Sequence, residues 1–284
     1  MKMRIANRVL REGEGMPLVL VNAFPVDGRM WEACARQIAR QADEAGLVPF
    51  PVWAPDMPGS GQSPVPTAEE SGPMDASGAY PEALDRMADA YADLVRSAGY
   101  DQAVWAGLSM GGYLVADLWR RQPQTMAAVA LCDTMAASDG VGGAARIETA
   151  EALERTDSVE PVMHFAEPAE GDSTVKCSPD FCATMRGWIM EQRPAGCAWR
   201  QRMTAGRPDL TDVPVTIDVP CAVVSGELDP SSNPGVMRPL AERIGANATF
   251  TAIPDCGHFS AVEHPDIVAK ALLDLYRRAA EGNR

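Results

Sequence analysis

Short apolar runs alternate with amphipathic stretches along this chain. Leu18-Val19-Leu20-Val21, Val48 to Ala54, Ala103 to Gly107, Val129 to Cys132 and Cys221 to Ser225 are unbroken enough to be strands buried on both faces. Between them, Leu84, Met87, Ala88, Tyr91, Leu94, Val95 and Ala98 recur at helical spacing, with acidic residues early and Gly99 as the stop. Leu114, Val115, Leu118 and Trp119 do the same before Pro123, and a last helix is predicted from Pro265, burying Ile267, Val268, Ala271, Leu272, Leu275 and Tyr276. Arg4 to Arg11 is a candidate antiparallel edge, and Ala248 to Ile253 reads as the final strand. The alternation predicts an α/β fold, a mostly parallel sheet flanked by helices.

Two segments break it. Pro64 to Pro81, rich in Pro, Gly, Ser and Ala, is expected to be a long mobile surface loop. Thr134 to Val219 holds no convincing buried strand but several short helical patterns, which predicts a helical lid inserted before the penultimate strand. The expected division is therefore 1–133 and 219–284 for the two parts of the core and 134–218 for the lid. Met185 and Trp188 are among the large apolar side chains expected to roof a pocket beneath it. Charge in the lid is split: Asp139 to Asp172 holds nine acids against Arg146 and Arg155, and Arg186 to Arg207 holds five arginines against Glu191 alone. Either the two halves neutralise each other, or some of the arginines orient an anionic substrate.

Thirty-nine acidic against twenty-five basic residues give a formal charge of −14, which repels phosphates and anionic lipid, so neither nucleic acid nor membrane is an expected partner. The first sixteen residues contain no apolar stretch of signal-peptide length, and no run approaches the ~18 residues of a membrane span. A cytoplasmic location is expected. The seven cysteines are odd in number and lack a CxxC pair, which predicts reduced thiols. Cys177, Cys182 and Cys197 beside His164 fit no zinc spacing, so no metal is expected.

Chemistry enters at Gly107-Leu108-Ser109-Met110-Gly111, a G-x-S-x-G pattern placed between a predicted strand and a predicted helix. In that setting the serine stands on a tight elbow at the carboxyl edge of the sheet, and Ser109 is the candidate nucleophile. A serine hydroxyl needs a base at neutral pH, and the base needs a partner that sets its tautomer. Of His164, His258 and His264, His258 sits in the loop directly after the final predicted strand and so reaches the elbow's edge, whereas His264 is better explained as a helix-start residue and His164 as a residue of the lid. Asp229 follows the strand ending near Ser225 and is the candidate acid, completing the chain order Ser109, Asp229, His258. Asp133, at the end of the Val129 to Cys132 run, remains an alternative acid. Backbone N–H groups of Phe24 and Met110 are the candidate oxyanion donors.

These residues, together with Asp56-Met57-Pro58-Gly59-Ser60-Gly61-Gln62-Ser63 and Gly257-His258-Phe259, resemble the α/β-hydrolase superfamily over nearly the whole chain. Asn22 through Trp31 and Leu131 to Thr134 look most like the branch containing small carboxylesterases and 3-oxoadipate enol-lactonases. Many relatives have His-Gly where this chain has Asn22-Ala23. The resemblance implies hydrolysis of a carboxylic ester or lactone by a serine mechanism; the absence of a Walker pattern predicts no cofactor, and a roofing lid predicts small or medium acyl esters. Enol-lactone hydrolysis, and a hydrolase-fold binding or receptor-like protein with little turnover, remain open.

Overall fold

The computed structural model describes residues 2–137 and 142–282. The described residues form a seven-stranded sheet: β1 (Val9–Arg11), β2 (Leu18–Val21), β3 (Val52–Trp53), β4 (Ala103–Leu108), β5 (Met126–Cys132), β6 (Cys221–Gly226) and β7 (Ala248–Ile253). Their spatial order is β1-β3-β2-β4-β5-β6-β7, and every pairing is parallel except β1 on β3. The central strands β2, β4, β5 and β6 are buried at every residue, which is why they read as continuous apolar runs.

Helices α1 (Glu32–Glu44), α2 (Ala68–Ser71), α3 (Ala83–Ser97) and α4 (Met110–Arg121) precede β5, and α8 (Pro234–Ile244), α9 (Ser260–Glu263) and α10 (Pro265–Gly282) follow β6. Between β5 and β6 lie α5 (Gly142–Thr156), a 3-10 turn over Glu160–Ala166, α6 (Pro179–Met190) and α7 (Pro194–Ala205), with no strand among the described residues. Asp139, the first of the acids in the charge split, lies outside the described residues. No described helix is long and apolar enough to cross a membrane.

Two predicted elements come out shorter than their runs. The Val48 to Ala54 run pairs only at Val52 and Trp53, because Pro49 and Pro51 have no N–H to donate and Val48 is 68% exposed. Arg4 to Arg11 pairs only from Val9. The Pro64 to Pro81 stretch holds more order than its composition predicts. Thr67 caps α2 by accepting from the Glu70 N–H while the Glu70 carboxylate accepts from the Thr67 N–H, a reciprocal capping box. The Trp199 indole then donates to Ser71 Oγ (2.8 Å), tying this stretch to α7. The Thr-x-x-Glu spacing was the available signal, outweighed by the surrounding Pro and Gly.

Candidate active site

One residue separates β4 from α4. Ser109 occupies that place at φ 55°, a left-handed conformation that costs a non-glycine residue roughly 1–3 kcal/mol and persists only where neighbours impose it. Here they do: the Ser109 N–H donates to the Cys132 carbonyl (2.9 Å), and the Ser109 carbonyl accepts from the Gly112 N–H (2.9 Å) and the Thr134 hydroxyl (2.8 Å). A Cβ at Gly107 would collide with the Gly111 carbonyl, and one at Gly111 with the Val21 carbonyl of β2, so close backbone approach demands both glycines.

His258 stands on the loop between β7 and α9. Its Nε2 lies 2.7 Å from Ser109 Oγ and its Nδ1 2.7 Å from Asp229 Oδ2. Asp229 follows β6, and its carboxylate also accepts from the Ser231 N–H (2.8 Å), the Ser231 hydroxyl (2.9 Å) and the Ser232 hydroxyl (2.5 Å). Burial pushes this carboxyl up, but the hydrogen bond and charge of His258, aided by the serine donors, hold it well below the usual carboxylate range. Burial likewise depresses the imidazole, and the hydrogen bond it donates to Asp229, with the charges of Asp229, Asp133 and Glu263, more than offsets it, so His258 titrates above its ordinary value.

Asp133, the alternative acid, does not touch the imidazole. It adopts φ 43°, which turns its carboxyl under the sheet edge, where Oδ1 accepts from the Gly226 N–H (2.9 Å) and Oδ2 from the Ser260 N–H (3.3 Å). Full burial, followed by the nearby Asp229 charge, pushes it up to about 7.

Phe24 and Met110 both line the cavity that contains Ser109 and His258. Met110 is the first residue of α4, where a helix leaves its N–H without an intrahelical carbonyl. The loop carrying Phe24 is held by Asn22, by Asp56 and by Arg200 of α7, of which only Arg200 has no individual mark in the sequence. The Asn22 amide donates to the Ala23 and Val26 carbonyls (3.0 and 2.9 Å), and its oxygen accepts from the Met57 N–H (3.0 Å). Asn22 thus braces the loop internally. Arg200, fully buried on α7, donates to the Pro25 and Val26 carbonyls (3.0 and 2.9 Å) and lies over the Phe24 ring. Asp56, also fully buried, accepts from the Gly28 and Gln62 N–H groups and the Arg8 guanidinium, joining the Asp56 to Ser63 loop to the same region.

The cavity holds about 340 Å³, within the range of small-molecule sites. Tyr113, Met135, Phe165 and Phe259 supply its apolar wall, with His164 beside them. Phe165 packs edge-on to Phe24 and to Phe259. A larger depression of about 790 Å³, lined by Gln102, Trp119, Met126 and Val219, lies at the amino-terminal edge of the sheet and contains none of this chemistry.

Met185 and Trp188, expected as roof residues, do not line the cavity. Phe181, Met185 and Ile189 form the buried face of α6, which packs on the Glu160–Ala166 turn, and that turn intervenes to present His164 and Phe165 instead. Trp188 packs half-buried against the core. The arginines of the 186–207 stretch are also spent elsewhere: Arg186 and Arg202 pair with Glu167 and Glu154, Arg193 donates to the Gly61 and Ser63 carbonyls, and Arg207 donates to the Ala137 carbonyl and lies over Tyr113. The cations that line the cavity are Arg146 and Lys176. Among the described residues no group of three or more His, Cys, Asp or Glu is placed to hold a metal ion.

Comparison with known proteins follows the same outline. A search of curated proteins finds no match. An esterase from Thermogutta terrifontis is 30% identical, with a TM-score of 0.80 over 98% of this chain and 94% of that one. The enol-lactonase from Burkholderia xenovorans LB400 (23% identity, TM-score 0.73, 96% of each chain) and a bromoperoxidase from Bacillus anthracis (19%, 0.73, 97% and 96%) share the fold. The Alpha/beta hydrolase family matches residues 18–271, a span that runs from β2 into α10 and takes in the elbow, both acids and the histidine loop. With that match and the 30% identity along almost its full length, the chain belongs to the alpha/beta hydrolase family.

Proposed function

We propose that this protein is a serine hydrolase that cleaves small or medium carboxylic esters through an acyl-enzyme. The observation that carries the reading is the continuous hydrogen-bonded line Ser109–His258–Asp229, with both links at 2.7 Å, opening into a cavity of about 340 Å³. Ser109 Oγ adds to the ester carbonyl as His258 Nε2 takes its proton. The Phe24 and Met110 N–H groups receive the negative oxygen, and the alcohol leaves with the proton from His258. Water then attacks the acyl-serine, gives its proton to His258 and releases the acid, restoring Ser109. Asp229 keeps the Nδ1 proton in place throughout. The substrate is a small molecule, and no step calls for a cofactor.

A second reading, hydrolysis of an enol-lactone or ester that itself bears a carboxylate, is favoured by Arg146 and Lys176 on the cavity wall, although the Lys176 ammonium already pairs with Asp172 at 2.9 Å. A fluorophosphonate probe tests the enzyme class, since a working site labels at Ser109 and a hydrolase-fold binding protein stays blank. An ester panel graded by acyl length, run beside a lactone panel, then ranks the two substrate readings.

Wall residues set acyl length. Phe165→Ala is expected to extend the accepted acyl chain, with labelling by a small organophosphate nearly unchanged. Met185→Ala is expected to leave that profile alone and lower the melting temperature by roughly 5–15 °C, because a fully buried methionine truncated to alanine loses about 2–5 kcal/mol. The opposite pattern in melting curves and acyl profiles would return Met185 to the cavity.

The base must be neutral to act. Because His258 titrates above its ordinary value, kcat/KM is expected to rise with pH through one ionisation whose midpoint lies above the ~6.5 of free histidine. A profile flat from acid to neutral pH, with the protein folded throughout, contradicts His258 as base.

A further inference from the structure

We infer that Glu263 is a positioning residue for this reaction: its carboxylate holds the backbone on both sides of His258 and ties that loop to the 173–176 turn at the cavity wall. The inference rests on the hydrolase reading for the reaction it serves. Glu263 ends α9 and is buried, 5% exposed. Oε2 accepts from the Gly257 N–H (2.7 Å) and Oε1 from the Phe259 N–H (3.0 Å), the residues immediately before and after His258. Fixing both flanking peptides fixes the direction in which the imidazole leaves the chain. Gly257 makes the approach possible, since a Cβ there would press on both carboxylate oxygens at 3.1 and 3.3 Å.

The same carboxylate reaches across to the segment between β5 and β6. Ser173 Oγ donates to Glu263 Oε2 (2.5 Å) and accepts from the Lys176 N–H (2.9 Å). Alongside it, the Thr174 N–H (2.9 Å) and hydroxyl donate to the Asp255 carboxylate at the start of the histidine loop. Lys176 lines the cavity, so the wall that meets substrate and the loop that carries the base are one hydrogen-bonded unit. Among the described residues no ion pair involves Glu263; its charge is met by these three donors. Only a carboxylate suits them. A glutamine would set its NH₂ against one of the two flanking N–H groups, and an aspartate is a methylene too short to reach both.

The test uses the full-length protein with Glu263→Gln and Glu263→Asp. Fluorophosphonate counts working sites, so turnover is expressed per labelled Ser109 and is independent of any misfolded fraction. Glu263→Gln is expected to lower kcat per site by about 10–100-fold, the scale of an ångström-sized misplacement of a catalytic group, with KM within about threefold. It removes one of the three acidic charges, with Asp229 and Asp133, that raise the imidazole, so the His258 titration followed by NMR should move to lower pH. Glu263→Asp, which keeps the charge and loses the reach, should lose kcat while its titration stays near that of the wild type. If both variants keep kcat per labelled site within twofold, Glu263 only supports the fold and the inference is overturned, whether or not the Glu263→Gln titration moves. Should the wild-type protein take no label, the hydrolase reading fails by itself. Hydrogen exchange at the Gly257 and Phe259 amides needs no turnover and then decides: faster exchange of both in the two variants upholds the hold on the histidine loop, and unchanged exchange overturns it.

Discussion

Ser109→Ala is expected to abolish ester cleavage, with a loss on the order of 10⁶-fold in turnover, and to leave the protein folded. The chemical half of this expectation follows from Ser109 Oγ being the group that faces His258 Nε2 at 2.7 Å inside the cavity. Without the hydroxyl the imidazole has no proton to take and no acyl-enzyme forms. The structural half follows from how the elbow is held. Every bond imposing φ 55° runs through the Ser109 backbone: its N–H to Cys132, its carbonyl to Gly112 and Thr134. Alanine keeps all of them and adds no atom. Kinetics with a good ester substrate, fluorophosphonate labelling and a thermal melt read the two halves separately. More than a few per cent of wild-type activity in pure Ser109→Ala protein would rule out the serine mechanism.

Asp229→Asn is expected to cost on the order of 10⁴-fold in kcat, and Asp133→Asn far less. The ranking follows from which atoms each carboxylate faces. Asp229 Oδ1 accepts from the Ser231 N–H, a donor that cannot turn round, whereas Oδ2 faces His258 Nδ1 and the Ser232 hydroxyl, which can. An asparagine therefore places its oxygen at Ser231 and its NH₂ at the imidazole. Nδ1 must then accept, the ring proton moves to Nε2, and the nitrogen facing Ser109 can no longer act as base. At Asp133 the same substitution opposes an NH₂ to the Gly226 or Ser260 N–H and leaves the imidazole's partners in place. Its main effect should be a loss of stability of about 1–3 kcal/mol from one unpaired buried donor. Paired kcat and denaturation measurements on the two variants check this, and the reverse order of kcat losses would transfer the acid's role to Asp133.

Much of the architecture was legible because it rests on local pattern. Strands buried on both faces must be continuously apolar, so β2, β4, β5 and β6 stood out as runs, and α3, α4 and α10 followed from their spacing and their Gly or Pro boundaries. The position of Ser109 between a strand and a helix, and the ends of β6 and β7 as places for Asp229 and His258, came from the same logic. In a parallel sheet all strand ends that share a direction open on one edge.

That logic could not separate Asp229 from Asp133. Both end parallel strands on that edge, and only the backbone turn at Asp133, which sends its carboxyl to Gly226 and Ser260, puts it out of reach of the imidazole. Nor could it choose the cavity wall. The periodicity of α6 marks Met185 as inward-facing, but what lies inward depends on the Glu160–Ala166 turn packed between α6 and Ser109. The partners of Asn22, which the sequence marked only as a departure, and the roles of Arg200 and Glu263 were invisible for a related reason. Each of these residues acts by pairing with backbone N–H or C=O groups, which every residue carries, so sequence holds no partner to match them with. Apolar periodicity determines which segments are buried together. Which polar atoms meet inside the fold is decided only when the chain is packed, because desolvation then forces each buried donor and acceptor to find a partner within about 3 Å.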